Sequence, residues 1–127
     1  HEVDACVGAF MLIRKSAMDE VGLFDEDFFF YCEDLDWCWR FREKGYKIVY
    51  NPITKIIHYK GASSGMKSSS QEVTKATKES KKRALFESVN AMEIFYKKHF
   101  IKKYPFFINI PVLLSLKALS KIRTSRV

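Results

Sequence analysis

The hydrophobic and polar positions of this chain change period several times, and each change predicts an element. Residues 6–13 (CVGAFMLI) are a continuous apolar run, which predicts a buried strand with Gly8 marking a bulge or a close backbone approach. Ser16 is placed to cap a short helix that runs through Val21 and closes at Gly22. Residues 24–31 (FDEDFFFY) show neither helical nor alternating period and predict a packed loop. A second helix is expected from Glu33 or Asp34 to Lys44, stopping at Gly45, with Leu35, Cys38 and Phe41 as its inward stripe and Trp37 alongside. Residues 46–50 (YKIVY) and 55–59 (KIIHY) then predict two strands separated by the Asn51-Pro52 turn.

Residues 60–70 (KGASSGMKSSS) turn to Gly and Ser, which predicts a mobile connection. A long helix follows over about 71–100, with Leu85, Val89, Met92, Phe95, Tyr96 and His99 on one face at three-and-four spacing. Residues 104–119 (YPFFINIPVLLSLKAL) are apolar but interrupted by Pro105 and Pro111, and Lys121, Arg123 and Arg126 come after them. The class is α/β with too few strands for a closed sheet. The expected divisions are a folded region over 1–66, a linker and amphipathic helix over 67–103, and a basic apolar tail over 104–127.

Composition narrows the classes. With 127 residues, 47% of them hydrophobic, the chain can build one core and is short for two ordinary domains. Its 29% charged residues and the absence of an apolar stretch of ~20 residues argue against both disorder and a membrane span. The chain starts at His1 with no signal-peptide pattern, and we read it as a fragment. Charge divides unevenly: residues 1–60 carry 8 Lys/Arg against 11 Asp/Glu, a balance of −3, while residues 61–127 carry 14 against 4, a balance of +10. The acidic half suggests a folded site of carboxylates, and the basic half an anionic partner. Cys6, Cys32 and Cys38 fit no paired metal spacing and read as buried thiols in a reducing, cytoplasmic compartment.

The strongest local signal is Glu33-Asp34-Leu35-Asp36 beside Phe30 and Tyr31 at a helix start. A carboxylate held within reach of a substrate proton is what general-base chemistry needs. Acidic side chains in the same place also cap free helix N–H groups and favour the dipole, so both readings stand. His58, near a strand end, is a candidate metal ligand or an ordinary packed histidine. A zinc site from Cys32, Cys38 and His58 lacks the usual spacing. The tail, with Phe106, Phe107, Leu113 and Leu114 among its lysines, reads as an anchor at a membrane interface or as a helix packing back on the protein. Nucleic acid fits the charge, but no reading element accompanies it, and none is expected as a partner.

Taken in order, residues 7–15 (VGAFMLIRK), the stretch VGLFDEDFFFYCEDLDWCWRFREKGYKIVYNP, His58 and Gly61-Ala62-Ser63 resemble the C-terminal half of a family 2 glycosyltransferase. The likeness is to rhamnosyltransferase-like members that build bacterial surface polysaccharides, over residues 3–65 and more loosely to about Phe100. It implies the acceptor-side half of a GT-A fold, a nucleotide-sugar donor, and a saccharide or lipid-linked acceptor at the inner face of the cell membrane. It further implies Asp34 as the catalytic base of an inverting transfer, with Glu33 positioning the acceptor. Gly8 and Ala9 would line the acceptor side, and Trp37 would offer a face for sugar stacking. His58 would join an upstream Asp-x-Asp in holding Mg2+ or Mn2+, a Lewis acid for the leaving diphosphate. This chain departs from the pattern: it has no Asp-x-Asp after an apolar strand, since Asp25-Glu26-Asp27 and Asp34-Leu35-Asp36 both lie in the acceptor-side motif. The nucleotide-binding half is expected outside this chain, which alone is expected to be inactive. The competing class is a non-catalytic module that binds a membrane or a partner.

Overall fold

A computed structural model describes residues 1–58 and 77–125. The chain forms two compact units, residues 1–58 and 59–127, where composition predicted a single core. In chain order the elements are β1 (Glu2–Val3), α1 (Lys15–Val21), α2 (Glu33–Glu43), β2 (Ile48–Val49), α3 (Lys78–His99) and α4 (Phe106–Ser125).

In the first unit β1 and β2 pair antiparallel, Glu2 opposite Val49 and Val3 opposite Ile48. The pairing is extended by the Tyr50 N–H donating to the His1 carbonyl at 2.8 Å. A small core of Ala17, Trp37 and Phe41 lies under this ladder, with Met11, Ile13, Met18, Val21, Tyr46 and Ile48 packed around it. α1 ends where Gly22 takes φ 87°, a conformation without steric cost only for glycine. Its last carbonyls are then held from α2: Arg40 donates to Val21 O at 3.0 Å and to Leu23 O at 2.8 Å, and the Trp37 indole N–H donates to Gly22 O at 2.8 Å. Arg40 is itself fixed by a 2.7 Å ion pair with Asp36, one turn earlier, whose side chain is fully buried.

Several expectations are corrected. Residues 6–13 form no strand, and Leu12 is 98% exposed, because among the described residues no neighbouring strand lies alongside to satisfy that backbone. Residues 55–58 of the strand expected over 55–59 likewise carry no strand pairing, residue 59 lying outside the described residues, and the strand expected over 46–50 is reduced to β2. Ser16 is inside α1 rather than its cap, which is Arg14 with no side-chain capping bond. On α2 the inward position falls to Asp36, paired with Arg40, while Leu35 is 38% exposed.

In the second unit Thr77 caps α3, its hydroxyl accepting from the Ser80 N–H at 3.1 Å. α3 packs against α4 and buries Ala84, Val89, Ala91 and His99, whereas Met92, expected inward, is 41% exposed. Residues 100–105 turn the chain between them, held by Asn109. Its amide donates to Ile101 O at 2.9 Å and Tyr104 O at 2.8 Å and accepts from the Tyr96 hydroxyl at 2.8 Å. Pro111 lies within α4 rather than ending it. Leu113 is half-buried. The Gly/Ser connection and the helix start expected at 71–76 lie outside the described residues.

Candidate functional site

The start of α2 is built on an unusual turn. Tyr31 has φ 125° and Cys32, the residue before the helix, has φ 65°, two consecutive non-glycine residues in the left-handed half of backbone space. Each such residue costs on the order of 1–3 kcal/mol and persists only where the surroundings hold it. Glu33 supplies part of that hold, its Oε2 accepting from the Tyr31 N–H at 2.9 Å. No side chain at Cys32 caps the helix.

Asp34 follows in the first turn, half-buried and gripped from two sides. Its Oδ2 accepts from the Gly8 N–H at 2.7 Å, across 26 residues of sequence, and its Oδ1 accepts from the Leu35 N–H at 2.8 Å. A carboxylate offers about four acceptor positions, so each oxygen keeps one for a further donor. Gly8 can approach because it lacks a Cβ: one added there would lie 3.2 Å from Asp34 Cβ. The first turn carries three acidic residues, Glu33, Asp34 and Asp36, at the positive end of the helix dipole. The structure therefore brings Gly8, Glu33 and Asp34 to one place. Ala9 is exposed next to Gly8.

Trp37 is elsewhere. It is 6% exposed, its ring 4.3 Å from that of Phe24 and 5.4 Å from that of Phe41, centroid to centroid, so the expected sugar-stacking face is covered by core. His58 is exposed at the edge of the described residues. Among the described residues no three His, Cys, Asp or Glu side chains converge as a metal site, and the residues present do not by themselves fit a divalent ion. The same holds for zinc on Cys32, Cys38 and His58; Cys38 instead faces Cys6, sulfur to sulfur at 4.0 Å, both as free thiols. Burial, with Cys38 beside it, pushes the Cys6 thiol up to about 11, and burial also raises that of Cys32.

Two features of this site have little signal in the sequence. The strained turn at 31–32 has no glycine or asparagine to announce it. The other is the buried Asp36–Arg40 pair, whose i,i+4 spacing was its one signal in the sequence.

Residues 1–107 match the family model described as Glycosyl transferase family group 2. The chain belongs to that family. It is 46% identical over 57 residues to the rhamnosyltransferase WbbL of Escherichia coli (strain K12), covering 45% of this chain and 22% of that protein. It is 41% identical over 58 residues to the N-acetylglucosaminyl-diphospho-decaprenol L-rhamnosyltransferase of Mycobacterium tuberculosis (strain ATCC 25618 / H37Rv), covering 46% and 19%. Identity is 32% over 56 residues with the low-salt glycan biosynthesis hexosyltransferase Agl10 of Haloferax volcanii, covering 44% and 18%. The chain thus spans about a fifth of the length of these relatives. No solved structure matches.

Proposed function

We propose that this chain supplies the acceptor side of a GT-A glycosyltransferase that moves a sugar, rhamnose or another hexose, from a nucleotide-sugar donor to a growing glycan. Asp34 is the base. The observation that carries this reading is the Asp34 carboxylate, oriented by two backbone N–H groups from separate segments, directly after a strained turn. Family membership and the names of the relatives support the reaction class.

In the proposed step an acceptor hydroxyl hydrogen-bonds to a free position on Asp34. As its oxygen forms a bond to the anomeric carbon, the bond from that carbon to the nucleotide diphosphate breaks and the hydroxyl proton passes to Asp34. A single displacement of this kind inverts the anomeric centre. Glu33 keeps the 31–32 turn in place, and Gly8 fixes the rotamer of Asp34, so the carboxylate meets the acceptor without first reorganising. The acceptor is a saccharide or one carried on a lipid diphosphate, as the name of the mycobacterial relative suggests. The three free thiols agree with a cytoplasmic setting.

The test is Asp34→Asn in the whole enzyme that carries this segment. Transfer is expected to fall about 10²–10⁴-fold, the usual contribution of a general base, with donor binding unchanged. Transfer at the wild-type rate would reduce Asp34 to a helix-start residue.

A further inference from the structure

We infer that Cys6 and Cys38 form a paired-thiol site that low-molecular-weight disulfides oxidise to a bridge, tying residues 6–8 to α2. The two sulfurs lie 4.0 Å apart across 32 residues of sequence, both are free thiols, and Cys38 Sγ is also 3.9 Å from the Cys6 carbonyl. A disulfide needs about 2.05 Å, so each sulfur has to move by about 1 Å, which a modest χ1 rotation supplies. Cys32 is the contrast. It is half-buried before α2 and is not gathered with the other two, since among the described residues no three His, Cys, Asp or Glu side chains converge.

Exposure sets the order of events. Cys38 is fully buried, whereas Cys6 is half-buried beside Val7, itself 65% exposed, so a reagent in solution reaches Cys6 first. The Cys6 thiolate attacks one sulfur of the small disulfide and expels the other, leaving a mixed disulfide on Cys6. Cys38 then attacks the Cys6 sulfur and expels the second small thiol, which takes the Cys38 proton. The protein gives up two hydrogens and two electrons in all, and one small disulfide becomes two thiols. The bridge is neutral and apolar, which suits this enclosed place better than a thiolate does: burial, then Cys38 and then Asp34 push the Cys6 thiol up to about 11. One helix turn earlier the same segment is already held to α2 by the Gly8 N–H on Asp34, while residues 6–13 form no strand. Oxidation therefore adds a covalent tie to the segment that carries Gly8, and in a reducing compartment the reverse exchange opens it again. The inference is independent of the role given to Asp34.

The Cys32→Ser chain, reduced and freed of reductant, is incubated with oxidised glutathione at about pH 9, where thiolate is available, and mapped by mass spectrometry without reduction. It is expected to lose two hydrogens, to join the peptide of Cys6 to that of Cys38, and to retain no glutathione. Adding Cys38→Ser should stop the reaction at a glutathione adduct on Cys6. In urea titrations followed by tryptophan emission, the bridged chain should unfold at a midpoint about 1–3 M above the reduced one, because a closed loop of about thirty residues restricts the unfolded chain. The wild-type chain should form the same bridge and leave Cys32 out of it. Failure of both chains to form the bridge overturns the inference, as does a glutathione adduct on Cys6 that persists with Cys38 present, or a bridge to Cys32. So does a bridged chain whose midpoint is unchanged or lower, since its sulfurs would then be joined against the fold rather than by it.

Discussion

Replacing Asp36 with alanine removes the buried carboxylate from beneath Arg40. The pair is 2.7 Å long, the Asp36 side chain is fully buried, and that of Arg40 is 18% exposed. Breaking a buried pair by deleting one partner costs about 3–5 kcal/mol, and the partial hydration of Arg40 puts this case at about 3. The loss spreads beyond the pair, because the same guanidinium holds the Val21 and Leu23 carbonyls at the end of α1. Against a typical domain stability of about 5–15 kcal/mol this is a large share. Urea unfolding followed by tryptophan emission reads the event locally, since both tryptophans, Trp37 and Trp39, lie on α2 within three residues of Asp36. With a denaturant slope of about 1–3 kcal/mol/M, the midpoint should drop by roughly 1–3 M. Asp36→Asn should fall between, keeping an acceptor while losing the charge. The apolar pair Asp36→Leu with Arg40→Met should recover much of the loss, because no unpaired charge is left behind. A midpoint for Asp36→Ala that barely moves, as for an exposed pair worth about 0–1 kcal/mol, would refute this account of how α1 and α2 are joined.

Trp37→Ala should cost about 3–5 kcal/mol in the same titration, as for a core aromatic, and a loss below about 1 would return Trp37 to the surface role first expected of it. Asn109→Ala strips partners from Ile101 O, Tyr104 O and the Tyr96 hydroxyl and should destabilise the α3–α4 hairpin by about 2 kcal/mol in a thermal melt of the helical signal; an unchanged melt would show that the turn is held some other way. The Cys6 thiol, raised from 9.0 to about 11, stays protonated in the folded chain after an unfolded one has ionised. Stability contributed by that thiol is thus complete below pH 9 and is lost as pH rises towards 11. Alkylation at Cys6, followed by peptide mass spectrometry, should keep accelerating through that window, and a plateau by pH 9 would contradict the raised value.

The helices were the legible part of the fold. Gly22 and Gly45 marked the ends of α1 and α2 because each takes a positive φ that other residues avoid, and the period through Val89 and His99 marked α3. Strands were less legible, because apolar runs such as 6–13 declare a strand whether or not a pairing partner is present to complete it. At the site, Glu33-Asp34 and Gly8 could be singled out separately, but their meeting depends on a 26-residue contact that no local pattern encodes. Trp37 was misplaced because an aromatic beside carboxylates looks the same in sequence whether it faces a ligand or the core. The reverse error befell Asp36, since burial of an aspartate depends on a partner that only the folded helix turn supplies.

Gly8 and Asp34 are proposed to act as one unit, and a double-mutant cycle on transfer by the whole enzyme tests that most directly. A Cβ at Gly8, 3.2 Å from that of Asp34, must displace the carboxylate by a few tenths of an ångström and strain the 2.7 Å hydrogen bond. Gly8→Ala should therefore slow transfer about tenfold in the wild-type background. With Asp34→Asn already in place it should slow transfer no further, because the group it positions has lost its function. Full multiplication of the two losses in the double variant, or wild-type transfer by Asp34→Asn alone, would contradict the assignment of the base.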